Sequence, residues 1–114
     1  MNKIIESIYR MIIELSDLSL QRKLWLNENN DTGLISSYTE VMCSLFDDFS
    51  FDDFIDNRAS KIGLSNATIF ELNKLRELLN SYNEKESDEG IIGDPEWKEV
   101  VEQAKIVIRE WDKT

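Results

Sequence analysis

The sequence predicts an all-α protein: a compact bundle of four to six helices forming one domain over residues 1–114. Three observations carry this expectation. Apolar residues recur at three- and four-residue spacing in several segments, whereas no segment alternates apolar and polar side chains as a half-buried strand would. Polar runs rich in Asn, Asp, Ser and Gly separate these segments and supply turns. Finally, 114 residues suffice for one core but not two, and 41% hydrophobic with 32% charged residues is the composition of a chain that folds.

Ile5, Ile8, Ile12 and Leu15 form the first stripe. Ser16-Asp17 or Ser19 interrupts it, and Leu20, Leu24 and Trp25 continue a helical face to about Leu26. NENNDTG breaks regular structure, so residues 27–35 are expected to be a loop. Ser37 followed by Glu40 makes a capping box, with Val41, Cys43, Leu45, Phe46 and Phe49 as apolar bulk behind it. Ser50 followed by Asp53 repeats that logic more weakly and predicts a kink or a fresh helix start. The piece carrying Phe51, Phe54, Ile55 and Ile62 should end at Gly63, a natural residue beyond a helix C-terminus.

Ser65 or Asn66 can cap a helix whose face runs Ile69, Leu72, Leu75, Leu79, Tyr82. The polar NEKESDEGIIGD, with two glycines, reads as a loop. Asp94 as N-cap, Pro95 in the first helical position and Glu96 at the positive end of the dipole then start the last helix. Its stripe of Trp97, Val100, Val101, Ala104, Val107, Ile108 and Trp111 makes core positions of both tryptophans.

Charge narrows the functional classes. The net charge is −10, and residues 31–57 hold Asp31, Glu40, Asp47, Asp48, Asp52, Asp53 and Asp56 with no Lys or Arg. A mildly basic stretch, 58–85, separates this region from a second acidic one, 86–114. Such a field repels nucleic acid and anionic lipid and favours encounter with a basic protein. No apolar run is long enough to span a membrane, and Glu6 and Arg10 stand where a signal peptide would be apolar, so the expected location is cytoplasmic. With one cysteine and no histidine, thiolate and imidazole metal sites are not expected.

The aspartates between 47 and 56 are the most unusual local feature. On a continuous helix Asp48, Asp52 and Asp56 would share one stripe, flanked by Asp47 and Asp53, at a small cost in like-charge repulsion. They can be a solvated face, a docking surface for Lys and Arg, or a carboxylate site for a divalent cation. The last lacks EF-hand spacing and the Glu-x-x-His pairs of helical di-metal sites. No nucleophile elbow, catalytic base or phosphate-binding glycine loop is present, and Cys43 falls within an apolar stretch as a small core residue. The expectation is therefore a binding protein without cofactor or metal, and not an enzyme. Its candidate contacts are Asp47, Asp48, Asp52, Asp53, Asp56 and the loop acids Glu86, Asp88 and Glu89, with Trp25 and Tyr38 as interface aromatics.

The segments SSYTEVMCSLFDDFSFDDFI and GDPEWKEVVEQAKIVIREW resemble small helical immunity proteins of bacterial contact-dependent inhibition and related polymorphic toxin systems. The resemblance covers about residues 22–112. It implies a protein that neutralises a cognate toxin domain, commonly a basic nuclease, by covering its active site or substrate groove. It brings no defined set of contact residues. The alternative is a general helical adaptor or regulatory subunit with an unrelated partner.

Overall fold

The computed structural model describes residues 3–113, and these are all-α, without strands. The chain runs α1 (Lys3–Leu15), α2 (Leu18–Trp25), α3 (Tyr38–Cys43), α4 (Phe51–Asp53), α5 (Asn66–Ser81), α6 (Asp88–Ile92) and α7 (Pro95–Asp112). Two π-helical turns, π1 (Ser44–Asp48) and π2 (Phe54–Arg58), extend α3 and α4. Seven helices among the described residues exceed the four to six expected, because the 38–58 segment divides in two and a short helix forms where a loop was expected.

The N-caps of α3, α5 and α7 are among those the sequence suggests, and the interruption expected at Ser16-Asp17 turns out to be the N-cap of α2. Asp17 caps α2 by accepting from the Leu20 N–H, Ser37 caps α3 from Glu40, Ser65 caps α5 from Thr68, and Asp94 caps α7 from Glu96. Each satisfies one of the amide donors that a helix start leaves without an internal partner. Residues 83–94 are not wholly a loop. Ser87 accepts from the Gly90 N–H, and the short α6 that follows buries Ile91 and Ile92, so apolar burial outweighs the low helix propensity of the glycine.

Helices α5 and α7 form the centre. They run antiparallel, since Tyr82, just after α5, bonds Asp94 at the start of α7, while Glu71 near the start of α5 meets Gln103 deep in α7. Their buried stripes, Leu72, Leu75 and Leu79 against Val100, Ala104 and Val107, are those expected from the periodicity. Ile5, Ile8, Ile12 and Leu15 of α1 and Leu45, Phe51 and Phe54 of the 38–58 segment complete the core. At about 1.5–3 kcal/mol for each large apolar side chain, this one core is the main stabilising term.

Polar groups inside the core are all partnered. Gln21, wholly buried, donates to the Glu14 and Leu15 carbonyls at 3.0 and 3.1 Å and accepts from Trp97 Nε1 at 2.9 Å. The Glu14 carboxylate, 8% exposed, accepts from Trp25 Nε1 and Ser36 Oγ, both at 2.8 Å. These bonds fix the bend between α1 and α2 and fasten the following loop beneath it. Among the described residues no buried side-chain nitrogen or oxygen lacks a partner.

Candidate partner-binding surface

The 38–58 segment shows how a sequence without proline changes direction. On α3 the buried positions Tyr38, Val41 and then Leu45 follow helical spacing, which turns Cys43 outward: its thiol is exposed, not in the core as expected. Helical pitch then widens through π1, where the Phe49 N–H reaches back five residues to the Ser44 carbonyl at 2.9 Å. At Ser50 the backbone enters the left-handed region, with φ 49° and ψ 60°. Ser50 makes no side-chain cap, so the break expected here arises from backbone geometry instead. The new helix widens in turn at π2, closed by Ala59 N–H to the Phe54 carbonyl at 2.8 Å.

This break overturns the single stripe of aspartates. Asp47 and Asp48 sit on π1, whereas Asp52 and Asp53 sit on α4 and Asp56 on π2, beyond the turn. All five are exposed, while Phe51, Phe54 and Ile55 between them are buried. Burial of the aromatics on one side forces the acids to the other.

The acids differ in what they meet. Arg76 of α5 lies 3.3 Å from Asp52 and 3.0 Å from Asp56, using one guanidinium nitrogen for each, and also bonds Asn73. Hydrogen bonding to Asp56 first, with Asp52 adding to it, pushes the arginine pKa further up. Each carboxylate gives only Oδ1 to this contact, Asp52 adding its backbone carbonyl at 3.4 Å, and the two side chains remain 62% and 55% exposed. Asp53 accepts from Asn57 Nδ2 at 2.8 Å, and Asp47 and Asp48 make no ion pair among the described residues. Of the five exposed carboxylates only Asp52 and Asp56 meet a guanidinium, so residues 47–56 keep a net negative charge after that contact.

The remaining sequence candidates fall elsewhere. Glu86, Asp88 and Glu89 surround the Ser87 cap of α6, which packs on α2 and α7, whereas α4 and π2 pack on π1 and α5. Acids at that position are also favoured by the dipole of their own helix. Trp25 and Tyr38 are not surface aromatics. They are 8% and 7% exposed and form, with Trp97 and Tyr82, a cluster of four rings whose centroids lie 5.0–6.4 Å apart. The loop beside Trp25 is polar, but Glu14 receives the indole N–H, so the ring can be buried at no hydrogen-bonding cost.

The most exposed large apolar side chains among the described residues are instead Leu34, Ile35 and Phe70, at 65%, 76% and 61%. Leu34 and Ile35 are held in an ordered loop, where Asn30 bonds the Leu34 carbonyl at 2.6 Å and Thr32 receives the Leu34 N–H at 3.0 Å. Phe70 lies beneath the ammonium group of Lys74, 5.4 Å from the ring centre. No group of three His, Cys, Asp or Glu among the described residues is arranged to hold a metal ion. No helix among them is long and apolar enough to cross a membrane.

The fold defines a small all-α domain with five exposed aspartates on residues 47–56, carried on the two sides of a backbone break. Comparison with protein-family models, curated proteins and solved structures finds no match to this chain.

Proposed function

We propose that this chain is an acidic binding protein of the immunity type, which neutralises a cognate toxin domain by covering a cationic active site or substrate groove. A basic nuclease is the partner that the charge fits best, since carboxylates can occupy the positions where such an enzyme holds phosphates. The observation that carries the reading is the carboxylate excess on residues 47–56, displayed from a segment with two π-helical turns and a left-handed serine. Irregular backbone of this kind costs stability and occurs disproportionately at functional sites. Arg76 orients Asp52 and Asp56 while leaving an oxygen of each for a partner's Lys or Arg. Asp47, Asp48 and Asp53 supply the carboxylates without a basic partner.

The test is co-expression with the product of the neighbouring gene, scored by growth rescue and co-purification. A triple reversal of Asp47, Asp48 and Asp53 to Lys should keep the helical circular dichroism, slow association and flatten its dependence on salt. Reversal of Glu96, Glu99 and Glu102 on the exposed side of α7 changes net charge equally and is the control. Equal effects of both triples would reduce the proposal to net charge alone, and no effect of either would discard this surface.

A second reading, a general helical adaptor whose partner is not a nuclease, draws on Leu34 and Ile35. Two large aliphatic side chains held outward on an ordered loop suit an apolar contact better than a phosphate-binding groove. Leu34→Ser with Ile35→Ser would abolish association in that case and leave it nearly unchanged in the first.

A further inference from the structure

Seven basic side chains among the described residues reach a carboxylate, as expected in a chain with so many acids. Lys3, Arg10, Arg58, Lys61, Lys98 and Arg109 make no ion pair among the described residues, and of these Arg10 and Arg58 line the same groove. It lies between α1, the end of α7 and the turn after π2, with a volume of about 900 Å³, within the roughly 300–1,000 Å³ of small-molecule sites. Ile5, Tyr9, Ile62, Leu64 and Trp111 supply apolar wall. Tyr9 and Trp111 meet edge to face, 5.2 Å apart, and Ile62 keeps 41% of its surface exposed. Gly63, with φ +93°, makes the turn that brings Ile62 and Leu64 to the rim.

We propose that this groove binds a small amphipathic monocarboxylate, its apolar body against Ile62, Leu64 and the Tyr9–Trp111 pair and its head between Arg10 and Arg58. An apolar ligand of either charge would fit the walls; Arg10 and Arg58, which line the groove and make no ion pair among the described residues, select the anion. Two acids also line the groove, Glu6 and Asp112, and Asp112 spends one oxygen on the Tyr9 hydroxyl at 2.7 Å while keeping its charge. Glu6 and Asp112 together oppose a second negative charge, which sets the preference for a monoanion over a dianion. The proposal rests on α1, α7 and the turn after π2, and it stands independently of the acidic surface.

Octanoate, octanol and octylammonium are titrated into the full chain, following the amide and indole resonances of Trp111 and the methyl resonances of Ile62. N-acetyl-Leu-Leu with a free carboxylate, and its amide, form a second arm. Octanoate should saturate, octanol should bind on the order of tenfold more weakly, and octylammonium weaker still. Arg10→Gln and Arg58→Gln should each weaken octanoate while leaving octanol unchanged; Arg10→Lys and Arg58→Lys, which keep the charge, should retain part of the preference. Saturation by the dipeptide acid but not its amide would identify a peptide carboxyl terminus as ligand; saturation by octanoate alone, an aliphatic acid. Absence of saturation by either acid, equal affinity for octanol, or indifference to both Gln variants would overturn the proposal.

Discussion

The Tyr82 hydroxyl donates a 2.8 Å hydrogen bond to Oδ2 of Asp94, whose Oδ1 accepts the Glu96 N–H at 3.1 Å as the N-cap of α7. One carboxylate thus closes the central helix pair and starts the longest helix, while Lys85 approaches the same Oδ2 at 3.6 Å. Tyr82→Phe removes a single hydrogen bond and should cost about 1 kcal/mol. Asp94→Ala removes the cap and leaves the Tyr82 hydroxyl without its acceptor, so it should cost more, about 2 kcal/mol or above. The double variant should fall short of the sum, because both changes delete the same bond. Urea unfolding of the three variants measures this ordering.

The same pair sets a pH dependence at both ends. Chiefly the Tyr82 hydrogen bond, then the Glu96 amide and Lys85, hold the Asp94 carboxyl below its ordinary value of 3.8. A depressed carboxylate stabilises the fold above its unfolded pKa and loses that contribution as pH falls through the lower folded value, so Asp94 weakens the protein below about pH 4. Burial first and Asp94 second push the Tyr82 pKa up from 10.0. Its hydrogen bond to Asp112 raises that of Tyr9, and burial raises that of Tyr38. Groups raised in the folded state are fully stabilising below their unfolded value and lose this as pH climbs past it, so stability should also decline above about pH 10. Urea midpoints between pH 3 and 11 should trace a plateau with two falling edges, and Tyr82→Phe should soften both.

Where a feature depended on a local rule, the sequence announced it. Ser37 and Asp94 cap the helices they were expected to cap, Ser65 is the one of the pair Ser65 and Asn66 that caps α5, and the stripes of α1, α5 and α7 are buried as their spacing implies. Features decided by distant contacts were not legible. Trp25 looks like a surface residue until Glu14 is seen to receive its indole N–H. Nothing near Asp52 or Asp56 in the sequence announces Arg76, which meets them from 24 and 20 residues away. The aspartate stripe breaks for a third reason: it assumed a continuous helix, and π1 with a left-handed serine alters the rotation between Asp48 and Asp52, while Asp52 and Asp56 still lie together on Arg76.

Arg76 separates stability from association. Its ion pairs are to half-exposed aspartates, and contacts of that kind contribute about 0–1 kcal/mol each after solvent screening. Arg76→Gln should therefore lower the melting temperature by only a few degrees, on the scale of about 4–8 °C per kcal/mol for a domain of this size. The surface of residues 47–56 would meanwhile lose its one guanidinium. Association with a basic partner should become faster at low salt and more steeply salt-dependent, while dissociation quickens because Asp52 and Asp56 are no longer held. Stopped-flow kinetics at two ionic strengths would read both effects; unchanged rates would place Asp52 and Asp56 outside the contact.

Ser50 tests whether the broken helix is a requirement of folding or of function. A non-glycine residue in the left-handed region costs about 1–2 kcal/mol, and Ser50 makes no side-chain cap to offset it. Ser50→Gly removes that strain but adds about 0.5–1 kcal/mol of unfolded-state entropy, so the variant should gain about 0–1.5 kcal/mol of stability. Ser50→Val, a β-branched residue, should lose more than 1 kcal/mol, roughly, since it cannot take this backbone angle without a clash. Neither change touches a carboxylate. If the break exists to aim Asp47 and Asp48 away from Asp52 and Asp53, Ser50→Gly, which preserves the angle, should bind the partner as the parent does. Ser50→Val should bind worse than its lost stability explains, as measured by affinity at a temperature where both variants remain folded.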